Sequence, residues 1–142
     1  MSILVIHQPN LFPNIKLLQK ICLGSEWLIM DDVQYERREV QNRVKIRKLE
    51  SPSYSKWLTA SIKKSDYNAK IKDIYFSYFF DFKIKTYSLI FDYYHKSNYY
   101  EFILVYLDKC FSKSFDKILD FNVHSVITLF EMLEIKIKYE AI

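Results

Sequence analysis

Glycine is nearly missing, with Gly24 the only one in 142 residues. A Walker phosphate loop, a G-x-G-x-x-G fingerprint and a G-x-S-x-G nucleophile elbow each need several glycines, so none of them can occur here. Cysteine is scarce too. Cys22 and Cys110 stand far apart, which fits a reducing compartment rather than a disulfide framework. No apolar run approaches the length of a membrane span. The opening Met1–Ile6 is too short for a signal-peptide core and is interrupted by His7 and Gln8. These absences predict a soluble cytoplasmic protein. An excess of one charge is lacking as well. The 21 basic and 17 acidic residues leave +4, too mild a bias to imply a nucleic-acid partner.

Aromatic side chains are what the chain has in quantity, with 12 Tyr, 11 Phe and 2 Trp. Most of that reads as compositional bias, although tyrosines can hydrogen-bond as well as pack. Half of the chain is apolar and 27% is charged, the balance of a single globular domain.

The first half reads as mixed α/β. Ile3–Ile6 is a short apolar run, the pattern of a buried strand. His7-Gln8-Pro9-Asn10-Leu11-Phe12-Pro13 follows, and its prolines stop regular structure. Pro13 suits the first turn of a helix. Ile15, Leu18, Ile21 and Cys22 recur at helical spacing, and Gly24 stands where a helix ends in the left-handed conformation. Trp27–Met30 is a second apolar run, cut off by Asp31-Asp32. Strand, helix and strand in this span predict a βαβ unit, whose right-handed crossover makes the strands parallel. Their C-terminal ends then share the sheet edge at which open α/β sheets bind ligands. One end brings His7, Gln8 and Asn10 to that edge, and the other brings Asp31, Asp32 and Gln34.

Glu36–Lys48 is polar and basic, and Leu49–Lys56 reads as a surface loop. Trp57–Ile62 and Ile71–Phe76 look like two further strands. The second half reads as helical. Its apolar stripes are Ile84, Tyr87, Ile90, Phe91 and Tyr94; Ile103, Tyr106, Leu107, Cys110 and Phe111; and Leu119, Val123, Val126, Ile127, Phe130 and Leu133. Asn98 and Ser114 are candidate N-caps, and Ile135–Tyr139 alternates like a last strand. The fold class expected is α/β: an N-terminal βαβ unit with parallel strands, further short strands, and a three-helix C-terminal half.

Four ordered motifs resemble the WbqC-like protein family. The opening I-H-Q-P-N-[YF]-x-P stands here as Ile6–Pro13. D-D-V-Q-[FY] stands as Asp31-Asp32-Val33-Gln34-Tyr35, and Q-N-R-x-[KR]-I as Gln41-Asn42-Arg43-Val44-Lys45-Ile46. W-L-T-V-P-V is partly kept as Trp57–Ile62. The resemblance runs to about Lys138. Family members usually continue with a sheet-forming segment rich in glycine and aromatics, whereas this chain stops at Ile142. The expectation is therefore one domain, 1–142, shortened at its C-terminus, with an apolar patch or a strand edge left bare.

The family occurs in gene clusters for O-antigen and other surface polysaccharides of the lipopolysaccharide kind. Cluster content suggests transfer of glycine to the amino group of a nucleotide-linked sugar. On that resemblance His7, Asp31 and Asp32 are the candidate catalytic residues, and Gln8, Asn10, Gln34, Gln41, Asn42, Arg43 and Lys45 the candidate substrate-binding residues. The chemistry of the residue types agrees. Imidazole is the usual proton-transfer group near neutral pH, although His7 can equally fix the proline turn. Adjacent strand residues face opposite ways, so Asp31 and Asp32 do not form a dyad. One of them can orient His7 or hold a divalent cation, while the other caps a turn or pairs with Arg37 or Arg38. The amides suit a polar substrate or simply stabilise turns. Arg43 and Lys45 project to one side of an extended segment and can grip phosphate, whereas Arg47 and Lys48 read as plain surface. His95 and His124 fall on helices without partners, and no His–Cys spacing supports zinc.

Two classes of function follow. One is an acyl- or aminoacyl-transferase acting on a nucleotide-linked amino sugar, by direct transfer because no Ser or Cys sits in a nucleophile's setting. The other is a non-catalytic module for an anionic glycan or nucleic acid, or an inactive fragment of a WbqC-like protein. Nucleic acid is the less expected partner, because the motifs gather His, Asp and amides rather than stacking aromatics. Self-association is compatible with a bare apolar edge.

Overall fold

A computed structural model describes residues 1–142. β1 (Leu4–His7), α1 (Ile15–Leu23) and β2 (Glu26–Ile29) form the expected unit. β1 and β2 are parallel, in register from Leu4↔Glu26 to His7↔Ile29. The helix starts two residues later than its proline suggests, because Asn14 is the N-cap and its Oδ1 accepts from Leu17 N at 2.9 Å. Gly24 is not left-handed. Its φ and ψ of −90° and 159° are extended, open to any residue. Glycine is needed there for space, since a Cβ would collide with the Val5 side chain and press on the Ile3 carbonyl.

β3 (Arg43–Arg47) and β4 (Ser55–Thr59) form an antiparallel hairpin, in register from Arg43↔Thr59 to Arg47↔Ser55. β3 lies inside the stretch that reads as merely basic. Val44, Ile46 and Leu58 pack into the core from one face, while Arg43, Lys45 and Trp57 share the other. The strand expected over Ile71–Phe76 is replaced by a 3-10 turn, Ile71–Asp73, and an isolated bridge from Phe76 to Ile62. Ile71 and Ile74 are both fully buried at i, i+3 spacing, which a short 3-10 turn satisfies and an alternating strand cannot.

The C-terminal half is helical: α2 (Phe79–Tyr94), α3 (Tyr100–Cys110) and α4 (Ile118–Met132). α2 buries Phe82, Thr86, Leu89, Ile90 and Tyr93, so its stripe is rotated from the expected one, and Ile84 and Phe91 are exposed. Asn98 and Ser114 are not caps. Tyr99 and Lys117 hold those positions without a side-chain bond, and Ser97 Oγ accepts from Tyr99 N at 3.1 Å. β5 (Tyr139–Ala141) begins where the last strand was expected to end and pairs parallel to β2. The sheet order is thus β1-β2-β5, with both outer strands free along one edge. Ile3, Leu4 and Ile6 are exposed beside that first edge.

The aromatics are less a bias than a core. Phe12, Phe76, Phe79, Phe82, Phe111 and Phe115 all lie with ring centroids within 6.0 Å of Phe121 on α4. Most of these contacts are edge-to-face, the arrangement the ring quadrupole favours. Phe12 belongs to the first motif and has a φ of 48°, in the left-handed region. Burial of its ring beneath α4 holds the loop after β1 in that strained form.

Candidate functional site

The C-terminal ends of β1 and β2 meet as expected, and His7 is fixed there by its backbone. Its carbonyl accepts from Met30 N and from Trp27 Nε1, each at 3.1 Å. Its ring Nδ1 lies 2.6 Å from the Gln8 carbonyl. A carbonyl only accepts, so Nδ1 carries the proton and the neutral ring keeps its lone pair on Nε2. The Gln8 carbonyl therefore orients the imidazole, and no hydrogen bond joins it to Asp31 or Asp32.

Behind His7 lies a buried polar group. Gln41 Nε2 donates to Gln8 Oε1. Asn122, wholly buried on α4, donates from Nδ2 to Pro9 O at 3.2 Å and to Gln41 O at 2.8 Å. Asn10, Asp31 and Gln41 are nine-tenths or more buried as well. Each of Asn10, Asp31, Gln41 and Asn122 keeps one side-chain oxygen without a hydrogen-bond partner. A buried acceptor left unpaired costs about 1–3 kcal/mol, so these four, three in the motifs and one on α4, each call for a donor. An amine, an ammonium or a cation suits such a place, and an anion does not. Asn122 has no counterpart among the candidates read from sequence. Its only signal there is an amide inside the longest apolar stripe.

Asp32 and Gln34 stand outside this group, both exposed. Asp32 does not pair with Arg37 or Arg38. It takes Lys70 at 2.6 Å and Lys72 at 2.9 Å, and those ammoniums hold its carboxyl down at about 2. Gln34 bridges by its backbone to Lys70. No three His, Cys, Asp or Glu side chains gather as metal ligands. His95 and His124 bond the Phe91 and Lys109 carbonyls. Burial pushes the Cys110 thiol up to about 12, which removes it as a nucleophile.

The Gln41-Asn42-Arg43 run leads from this group to a second, cationic one. Asn42 is committed to structure, donating to Ala60 O at 3.0 Å and accepting from the Tyr35 hydroxyl at 2.9 Å. Burial raises the Tyr35 phenol, which keeps it a donor. Arg43 and Lys45 do project to one side, over the Trp57 ring at 4.1 and 5.8 Å. Arg43 also lines a cavity of about 270 Å³ with Tyr35, Arg37, Arg38 and Tyr67, whereas Lys45 does not reach it.

Compared with known proteins, residues 8–142 match the sequence model of the WbqC-like protein family. No curated protein and no solved structure matches the chain.

Proposed function

We propose, from the premise that this chain belongs to the WbqC-like protein family, that it is a transferase of surface-polysaccharide assembly. It moves an acyl or aminoacyl group, glycine in the case suggested for the family, to the amine of a nucleotide-linked amino sugar. One observation carries this reading. The Gln41-Asn42-Arg43 run carries a buried, unpartnered acceptor oxygen on Gln41 and lines an arginine cavity through Asn42 and Arg43. A sugar that bears an amine and a diphosphate needs both kinds of surface, acceptors for the first and donors for the second.

In this reading the acceptor amides and Asp31 orient the amine end of the sugar. The amine attacks the activated acyl carbonyl, the new C–N bond forms, and the donor's leaving group departs with its electron pair. Nε2 of His7, left free by the Nδ1–Gln8 bond, takes the proton lost by the amine. Arg43 holds the phosphate end, with Lys45 beside it on Trp57. No covalent enzyme intermediate is required.

The test is a transfer assay read by mass spectrometry, with amino-sugar nucleotides and acyl or glycyl thioesters. A thermal-shift screen first finds which nucleotide binds, since ligand at 100 times its dissociation constant adds about 2.7 kcal/mol. The expected result is a mass gain on the sugar that falls about 10²- to 10⁴-fold in His7→Asn, with nucleotide binding retained. Full turnover in His7→Asn would remove the catalytic role of the imidazole. A bound nucleotide with no transfer from any donor would leave the binding-module reading.

A further inference from the structure

The cavity beside Arg43 is built to hold an anion. Three of its lining residues, Arg37, Arg38 and Arg43, are arginines, and no aspartate or glutamate lines it. Glu36 and Glu39, the nearest acids in sequence, are exposed and outside it.

The guanidinium groups are also preset. Arg37 lies over the Tyr67 ring at 4.6 Å, and Arg43 over Trp57 at 4.1 Å. Stacking uses the face of a guanidinium and leaves its in-plane N–H edge free, which is the edge that binds phosphate bidentately. Arg43 spends one edge donor on the Arg38 carbonyl, and this holds Arg38 at a left-handed φ of 69°. Its Nε is buried and has no partner. A buried, charged N–H with nothing to donate to is as unsatisfied as a buried acceptor, and only an added acceptor satisfies it. The committed Tyr35–Asn42 pair forms one fixed wall, so little has to move when a ligand enters.

Size narrows the occupant. At about 30 Å³ per water-sized group, 270 Å³ has room for about nine such groups. That admits a diphosphate but not the sugar and nucleoside it joins.

We infer that the cavity formed by Arg37, Arg38 and Arg43 is a diphosphate-binding site, with the ends of the ligand projecting out of it. This deepens the function proposed above and rests on it only for what carries the diphosphate. Arg37 and Arg38, which the motif leaves aside, become ligand-binding residues.

The experiment is isothermal titration of the full chain with inorganic pyrophosphate, a nucleoside diphosphate and a single-stranded oligonucleotide, at low and physiological salt. Pyrophosphate is expected to bind, and the nucleoside diphosphate to bind at least as well. Arg43→Ala and Arg37→Ala should each weaken both about tenfold or more. Arg43→Lys should weaken them as well, because a point charge lacks the fork. Arg47→Ala, on the same hairpin but outside the cavity, should change little. Arg37 is exposed, so its truncation tests the site even if Arg43 variants fail to fold. The inference is overturned if pyrophosphate gives no heat at millimolar concentration. It is equally overturned if Arg47→Ala weakens binding as much as Arg37→Ala, or if the oligonucleotide binds more tightly than pyrophosphate with a steep salt dependence. Pyrophosphate binding without transfer activity would retire the transferase and keep the site, while transfer without pyrophosphate binding would do the reverse.

Discussion

Replacing Asn122 by leucine tests whether one amide holds the two motif loops together. Leucine keeps the approximate volume and removes the donor. The Pro9 and Gln41 carbonyls, bonded at 3.2 and 2.8 Å, then lose their partner. Each buried carbonyl left unpaired costs about 1–3 kcal/mol. Against this, the Asn122 Oδ1, already without a partner, is removed, which returns a similar amount once. The net loss is about 1–3 kcal/mol. At about 3 °C per kcal/mol for a chain of this size, the melting temperature should fall about 3–9 °C. Circular dichroism at the helix band measures it. Asn122→Asp should be worse, because it exchanges the donor for a further acceptor among unsatisfied acceptors. A leucine variant that melts at or above the wild type would show that the amide does not hold the loops, and the geometry assigned to the buried oxygens would fall with it.

Gly24→Ala should destabilise by about 1–3 kcal/mol through the collision with Val5, read as a lower urea midpoint at an unchanged slope. An unchanged midpoint would mean that β1 can move aside. The Asp32 carboxyl, held at about 2 by Lys70 and Lys72, has a lowered folded-state value. Its stabilisation is therefore present above the ordinary value of 3.8 and is lost as pH falls through about 2. An NMR titration should show that midpoint moving up in Lys70→Ala and in high salt, and a midpoint indifferent to both would refute the pairing. Cys22, exposed, should react with a thiol reagent in the folded protein, whereas Cys110 should react only on unfolding.

Much of the first sheet was legible because its signals are local. Pro9, Pro13 and Gly24 punctuate the chain, and short apolar runs stand on either side of a helical pattern. Gly24 itself was read for its backbone freedom, but it is required by the nearness of a strand that no local pattern reveals. β3 escaped because a tally of charge hid its alternation, Val44 and Ile46 between Arg43, Lys45 and Arg47. The buried face of α2 was misjudged because apolar residues occupy nearly every turn of Phe79–Tyr94 on all sides, so the helical period singles out no face. Within the candidate site, His7, Asn10, Asp31 and Gln41 could be picked out by type and motif. Asn122, and the Lys70 and Lys72 partners of Asp32, could not, because their roles come from contacts far away in the sequence.

Those long separations bear on how the molecule comes into being. Asn122 bonds a carbonyl 113 residues earlier in the chain, and β5 pairs with β2 across a comparable distance. A ribosome adding about 5–20 residues per second delivers α4 roughly 6–20 s after the first motif. Through that interval the His7 loop has no helix to close over it, and the Phe12 ring has no Phe121 to pack against. Ile3, Leu4 and Ile6 meanwhile lie on a nascent strand with unsatisfied edges, the kind of segment that chaperones bind and that aggregates when they do not. Non-local closure of this kind is also slow once synthesis is over. The buried bonds that tie the two motif loops together are thus among the last features of the molecule to form, and they wait for the far end of the chain to return.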